Sequence, residues 1–147
     1  MSAEENAALA RAINDAYNAR DFDRAAELTA PDAEWVNVAT GQTFRGPEGA
    51  RQFLAGWAGA FPDSTVETTY ALGGERGATL EFVGRGTQTG PLPSPAGDIP
   101  PTGRRVEVPF CQVLEIEGGK VRRARLYFDA LGMMQQLGVI PAADAVS

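Results

Sequence analysis

Residues 104–128 have the sequence RRVEVPFCQVLEIEGGKVRRARLYF, in which two runs of alternating apolar residues flank Gly118-Gly119. A Gly-Gly connection between such runs is typical of a tight β-hairpin, and its turn sets the register in which the strands pair. The opposed residues predicted by this register are Glu117 with Lys120, Leu114 with Arg123, Gln112 with Arg125, Phe110 with Tyr127, and Val108 with Asp129. Pro109 cannot donate to the ladder, so a bulge there would shift the pairs beyond it by one residue.

Both faces of this predicted hairpin are largely apolar. One face would combine an apolar wall, interrupted only by Gln112, with Arg125, Tyr127 and Asp129, which suits a small-molecule pocket. The other face would carry Cys111, Val113, Ala124, Leu126 and Phe128. We therefore expect helices to cover the Gln112 face and a second copy of the chain to cover the other, giving a homodimer. The residues expected at or near that contact are Cys111, Val113, Leu126 and Phe128.

The rest of the chain alternates between helical and strand patterns. The predicted helices cover residues 3–19, 21–28, 46–61 and 130–137, and the predicted strands cover 33–39, the segment around Phe44, 64–72, 77–89, 104–117 and 120–128. This order predicts an α+β fold, with three N-terminal helices and a short C-terminal helix on a curved, mostly antiparallel sheet. Helices and sheet would form a half-open cone, within a single domain spanning residues 1–147.

The composition narrows the class of function. The chain has 147 residues, a net charge of −6, one cysteine and no histidine. An acidic chain is a poor candidate for binding nucleic acid or an anionic membrane. The lack of histidine excludes Ser-His-Asp and Cys-His nucleophilic catalysis and the usual zinc and non-haem iron sites. Catalysis would rest on carboxylates, Tyr, Lys, Arg or amides, or on a bound cofactor.

The N-terminal segment predicts a cytoplasmic protein. It carries acidic residues where a signal peptide carries basic ones, and it lacks a long apolar stretch. No run approaches the ~20 apolar residues that span a bilayer.

Several polar residues allow a structural as well as a functional interpretation. Asp129 precedes the last predicted helix, where Asp is a preferred N-cap, but it is also the candidate general base. Gln112 is either a core amide or a ligand contact, and Arg125 is either a rim ion pair or a ligand contact. Tyr127 and Tyr17 are expected in the core, each with a hydroxyl available for hydrogen bonding.

Two further segments are candidates for the pocket wall. Trp35 and Asn37 share one side of the first strand and are expected to line the pocket. Residues 90–103 contain five prolines and predict a stiff connection between two strands. This connection is either a lid or binding loop, or a surface loop or dimer contact.

Short motifs in a specific order give the chain a family resemblance. They are Arg45-Gly46-Pro47-Glu48-Gly49, Trp57, Ala60-Phe61-Pro62-Asp63, Gly86-Thr87-Gln88-Thr89-Gly90, Pro100-Pro101-Thr102-Gly103-Arg104, Tyr127-Phe128-Asp129 and Gln136-Leu137-Gly138. From about Ala12 to Gly138, the chain resembles the SnoaL-like polyketide cyclases of the nuclear transport factor 2-like superfamily. The resemblance implies a cone-shaped α+β barrel, usually a dimer packed through its sheets.

The resemblance also implies a chemistry, namely ring closure by intramolecular aldol condensation without metal or cofactor. A carboxylate near the end of the chain acts as general acid/base in the family, and Asp129 matches it best. Two positions depart from the relatives. Gln88 stands where many relatives have histidine, and Asn37 stands where the superfamily's steroid isomerases have their aspartate base.

The leading hypothesis is a cyclase or lyase acting on an apolar, carbonyl-rich small molecule. Asp129 would remove a proton, Arg125 would hold the enolate oxygen, and Gln112 and Tyr127 would orient carbonyls. The other predicted substrate contacts are Phe110, Gln88, Asn37, Trp35, Tyr17 and Trp57. The alternatives are a non-catalytic protein that binds an apolar small molecule, and a cofactor-independent hydroxylase, which would consume oxygen.

Overall fold

The computed structural model describes residues 2–141. The helices are α1 (Ala3–Ala19), α2 (Phe22–Glu27), α3 (Gly46–Ala60) and α4 (Ala130–Gln136). The strands are β1 (Thr29–Asn37), β2 (Gln42–Arg45), β3 (Thr65–Gly74), β4 (Gly77–Thr87), β5 (Arg105–Glu117) and β6 (Lys120–Phe128). The predicted α+β class and element order are therefore confirmed. β1 begins four residues earlier than predicted and includes Pro31.

Local sequence signals explain where the helices begin. α1 begins at a capping box, in which the Ser2 hydroxyl accepts a hydrogen bond from the Glu5 amide and the Glu5 carboxylate accepts one from Ser2 N–H. α3 carries Pro47 in its first turn, where proline is favoured because no intrahelical N–H bond is lost. The Gln136 side chain of α4 exchanges two hydrogen bonds with the backbone of Glu107, at 2.7 and 2.9 Å. These bonds hold α4 against β5.

The strands form a six-stranded sheet in the order β2-β1-β6-β5-β4-β3. All neighbours are antiparallel except β1 and β6, which are parallel. The helices pack on one face of the sheet, called here the inner face. The opposite, outer face is open in the protomer. No helix among residues 2–141 has the length and apolar character needed to cross a bilayer.

The predicted pairing of β5 with β6 is correct at the turn and wrong beyond it. Gly118 and Gly119 have φ values of 59° and 76°, as a tight hairpin turn requires, and Glu117 pairs with Lys120. The register then shifts by one residue between Ile116 and Glu115. The pairs beyond the shift are Glu115 with Arg123, Leu114 with Ala124, Gln112 with Leu126, Cys111 with Tyr127, and Phe110 with Phe128.

Burial explains this shift. The bulge places two consecutive exposed residues, Arg122 and Arg123, between the buried Val121 and Ala124. Without it, the strand would turn Arg123 and Arg125 towards the core, where an unpaired charge is costly. Pro109, the position at which the sequence suggested a bulge, pairs regularly with Val83 of β4.

The shift also changes the expected dimer face. Leu126 and Phe128 lie on the inner face with Gln112, so they cannot belong to an outer-face contact as predicted. Cys111 and Val113 lie on the outer face and are half-buried in the protomer. Beside them, the Arg125 guanidinium donates a hydrogen bond to the Glu115 carboxylate at 2.5 Å.

Candidate functional site

A cavity of about 70 Å³ lies between the inner face of the sheet and helices α1 and α3. It is called here the inner cavity. Most of its wall is apolar and aromatic, contributed by Phe53, Trp57, Phe82, Phe110 and Leu126 among others. Phe82 and Phe110 stack at 5.2 Å between ring centroids, and this stack flattens one side of the wall.

Tyr17 of α1 brings a hydroxyl group to this wall. Its hydroxyl lies 2.6 Å from the hydroxyl of Ser64, and both residues line the inner cavity. The Arg20 guanidinium lies over the Tyr17 ring at 4.8 Å and donates hydrogen bonds to the Ser64 carbonyl and hydroxyl oxygens. Burial raises the pKa of Tyr17, an effect that the Ser64 hydrogen bond only partly offsets. The phenol is therefore neutral and able to donate at physiological pH.

Gln112 is the most informative polar residue of the inner cavity. It is 3% exposed and stands between Leu80 and Leu126 on neighbouring strands. Gln112 lines the cavity, and its side-chain amide is not among the fully enclosed unpaired groups of residues 2–141, so the amide faces the cavity space and makes no side-chain hydrogen bond to the rest of the described chain. Buried amides are normally satisfied, so this one is available to a ligand or to water.

A second and larger pocket, called here the outer pocket, measures about 330 Å³. It lies between the β1–β2 turn, α3, α4 and Leu92–Pro95 of the proline-rich connection. Phe53, Trp57 and Met133 line both the outer pocket and the inner cavity. The Trp57 ring packs edge-to-face on Phe110 at 5.6 Å and on Phe128 at 5.3 Å. The three shared side chains, Phe53, Trp57 and Met133, form the partition between the two spaces.

Gln88 holds the proline-rich connection in place. Its side chain is fully buried, and its Nε2 donates to the carbonyls of Gly90, Ile99 and Pro100 at 3.1 to 3.2 Å. Its Oε1 accepts from the amide and hydroxyl of Thr102 at 3.2 and 2.8 Å. These contacts occupy both the donor nitrogen and the acceptor oxygen of the Gln88 side-chain amide. Gln88 is thus placed as a clamp on its own loop rather than as a ligand contact.

The structure separates the predicted site residues into two groups. The residues that line the inner cavity or the outer pocket are Tyr17, Asn37, Trp57, Phe110 and Gln112. The residues that line neither are Trp35, Gln88, Arg125, Tyr127 and Asp129.

The second group lies elsewhere for identifiable reasons. Trp35 is fully buried in the core against Phe53, at 5.4 Å between rings. Arg125 and Tyr127 point to the outer face because of the bulge in β6. Asp129 is exposed, and its carboxylate accepts the backbone N–H of Gly132 at 2.8 Å as the N-cap of α4.

Several residues that line the inner cavity or the outer pocket were not predicted from the sequence. Ser64 follows a proline turn and meets Tyr17 across 47 positions, so no local pattern reveals the contact. Gln42 and Gln52 line the outer pocket, but each is an exposed glutamine in an ordinary helix or strand pattern. The bulge did leave a signal, because the apolar alternation of β6 changes phase between Val121 and Ala124.

Comparison with known proteins adds three structural relatives. TsrD from Streptomyces laurentii has a TM-score of 0.80 at 26% identity, covering 95% of this chain and 99% of that one. A SnoaL-like polyketide cyclase from Agrobacterium tumefaciens strain C58 has a TM-score of 0.71 at 23% identity, covering 88% and 95%. A ketosteroid isomerase-like protein from Catenulispora acidiphila DSM 44928, in complex with trimethylamine, has a TM-score of 0.74 at 21% identity, covering 88% and 92%.

No curated protein sequence matches the chain. The structural relatives share the α+β fold that the sequence predicts. The model of the SnoaL-like polyketide cyclase family matches residues 7–137, which is most of the sequence. From this match and the shared fold, we conclude that the chain belongs to the SnoaL-like polyketide cyclase family.

Proposed function

We propose that the protein binds a small, mostly apolar, uncharged molecule and receives one of its carbonyl groups in the inner cavity. The observation that supports this most is the Gln112 amide, which is buried in an apolar wall without a partner among residues 2–141. A carbonyl oxygen would accept from its NH₂ group and satisfy it. The aromatic side chains around it would contact the apolar part of the ligand.

A hydrogen-bond chain provides a second donor for the same carbonyl. The Arg20 guanidinium can only donate, so the Ser64 oxygen accepts from it. Either hydroxyl can donate in the 2.6 Å contact between Ser64 and Tyr17, and we propose that Ser64 donates to the Tyr17 oxygen. The Tyr17 hydrogen is left to point into the cavity. A carbonyl held by Tyr17 and Gln112 would be polarised, which favours an enol or enolate form.

The cavity size limits which part of the ligand enters. At about 70 Å³, the inner cavity is well below the ~300–1,000 Å³ typical of sites for drug-sized ligands. The inner cavity therefore receives the carbonyl end, and the remainder of the ligand extends past Trp57 towards the outer pocket.

Binding of benzoylacetone, a small uncharged 1,3-diketone, tests the proposal through quenching of tryptophan fluorescence. Gln112→Leu keeps the size of the side chain and removes its amide, so affinity should fall by about tenfold. Gln135→Leu makes the same change on α4, outside both spaces, and should leave affinity unchanged. Equal affinities for the unmodified protein and Gln112→Leu would refute the proposal.

Cyclisation is the second candidate function, and the family match favours it. Asp129 is the proposed base, and its neighbours Phe128 and Ala130 line the outer pocket. Asp129→Asn should keep the helix cap while removing the base, since Asn is also a good N-cap. With benzoylacetone in heavy water, mass spectrometry should show protein-dependent deuterium uptake at the carbon between the carbonyls, lost in Asp129→Asn. Uptake that survives in this variant would reject Asp129, and oxygen consumption would favour a hydroxylase.

We also propose that two chains pair through the outer face of the sheet. Cys111 and Val113 lie there half-buried, and Tyr70 and Leu72 of the edge strand β3 are 51% and 59% exposed on the same side. An open face of this kind is typical of an interface. Val113→Glu should convert a dimer into monomers in analytical ultracentrifugation. Sedimentation of the unmodified protein as a monomer at micromolar concentration would reject the dimer.

A further inference from the structure

We propose that the outer pocket is a selective site for an uncharged ring that carries an amide or hydroxyl group, and that it rejects ions. This inference rests on the proposed function only in assigning this ring and the carbonyl of the inner cavity to one molecule.

The walls suit a flat ring. Phe44, Trp57 and Phe128 contribute aromatic surface, and Met134 contributes a flexible thioether that adapts to ring edges. The volume of about 330 Å³ falls within the range of small-molecule sites. An aromatic or alicyclic ring therefore has both room and matching surface.

The polar side chains of the outer pocket are the amides of Asn37, Gln42 and Gln52 and the hydroxyls of Thr40 and Ser94, and the amides are not fully used. Asn37 is 7% exposed, and its Oδ1 accepts from the Thr40 amide at 3.3 Å. Within the described part of the chain, its Nδ2 donates to no other residue. Gln42 uses only its oxygen, in a contact of 3.4 Å with the Thr40 hydroxyl. The Gln52 amide stands on the α3 side of the same pocket. These amides can donate to and accept from a neutral polar group.

Every side chain that the structure describes along the walls of this pocket is uncharged. An ion that entered would lose water and find no counter-ion there, which strongly disfavours charged ligands. Asp129 is adjacent in sequence, but its carboxylate is held at the Gly132 amide and does not line the pocket. The preference for a neutral ligand follows from this lining.

One wall of the pocket is already formed without ligand. Leu92 is 6% exposed and packs against buried apolar residues of α3, β5 and α4, and it pairs with Ile99 through two backbone hydrogen bonds. Pro93 and Pro95 restrict the backbone that follows. Gln88 fastens the base of the same connection. Because this wall needs little ordering on binding, less affinity is lost.

Three probes of nearly equal size and different charge test the proposal: indole-3-acetamide, indole-3-acetate and tryptamine. Isothermal titration calorimetry at pH 7 should show that the unmodified protein binds the amide at least about tenfold more tightly than either ion. Similar affinities for all three probes, or no binding of the amide at millimolar concentration, would overturn the proposal.

A charge variant separates the pocket from the rest of the surface. Gln52→Glu places a carboxylate at the pocket on an exposed helical position, so the ratio of tryptamine to amide affinity should rise by about tenfold. Ala55→Glu adds the same charge to α3 outside the pocket and should leave the ratio unchanged. Equal changes in the two variants would also overturn the proposal. The inner-cavity proposal is tested with a different ligand, benzoylacetone, so its failure would be recognised separately.

Discussion

The inner face of the β5–β6 hairpin carries Phe110, Gln112 and Leu126, which line a cavity, whereas the outer face carries Arg125 and Tyr127. Tyr127 is 42% exposed and Arg125 pairs with a surface carboxylate. Residues of the two faces alternate along the same strand. One extra residue in β6, at the bulge beside the turn, decides which set faces the helices.

This difference shows how far a site depends on register. Because side chains alternate along a strand, a shift of one residue exchanges the complete content of the two faces. Here the shift places Leu126 instead of Arg125 opposite Gln112, and Phe128 instead of Tyr127 opposite Phe110. The inner cavity is therefore more apolar than the predicted site, and besides Gln112 its polar groups include Tyr17 of helix α1 and Ser64 in the loop before β3.

The largest change in stability is expected when a carboxylate is placed on the inner face, and the outer face provides the matched control. Leu126 is 3% exposed, so Leu126→Glu should lower the free energy of unfolding by about 3–5 kcal/mol, the cost of an unpaired buried charge. Tyr127→Glu, one residue away on the outer face, should cost less than about 1 kcal/mol. Urea denaturation measures both. Equal losses would contradict the observed register.

Removal of the Gln88 clamp should have the next largest effect. Gln88→Ala leaves the carbonyls of Ile99 and Pro100 and the Thr102 amide without their partner, which should cost about 1–3 kcal/mol. Limited proteolysis should then cut within residues 90–103. Thr102→Val removes one of the hydrogen bonds and serves as the milder control. A Gln88→Ala protein as stable and as resistant as the unmodified one would refute the clamp.

The pH dependence of stability tests whether the Tyr17 phenol is buried on the inner face. Burial raises its pKa above the ordinary value of ~10, so the folded protein keeps the phenol proton at pH values where the unfolded chain has lost it. Stability linked to this group is intact below about pH 10 and falls as the pH rises through the raised pKa. Urea denaturation between pH 8 and pH 11 should show a steeper loss for the unmodified protein than for Tyr17→Phe. Identical slopes would place the phenol outside a buried site.

The smallest effect is expected on the outer face. Arg125→Gln removes the ion pair with Glu115, whose side chain is 52% exposed, so the free energy of unfolding should fall by less than about 1 kcal/mol. The affinity for benzoylacetone should not change, because Arg125 does not line the inner cavity. A large loss of affinity would indicate that Arg125 contacts the ligand, as the sequence predicted.

Local patterns were sufficient for the architecture. The Gly118-Gly119 turn and the apolar alternation of β5 each predicted the element that the structure contains. These signals act over a few residues, since turn geometry and side-chain alternation depend on the backbone nearby. The order of the elements and the family resemblance followed from the same local information.

The site depended on contacts between distant segments. The Tyr17–Ser64 hydrogen bond and the partition at Trp57 exist only after helices and sheet have packed together. The β6 bulge reflects the cost of burying arginine, which is decided by what covers the strand and not by the turn. Gln88 lies within a family motif, at a position where many relatives have histidine, and its buried amide fastens a loop because five hydrogen-bonding groups converge on it in the folded chain.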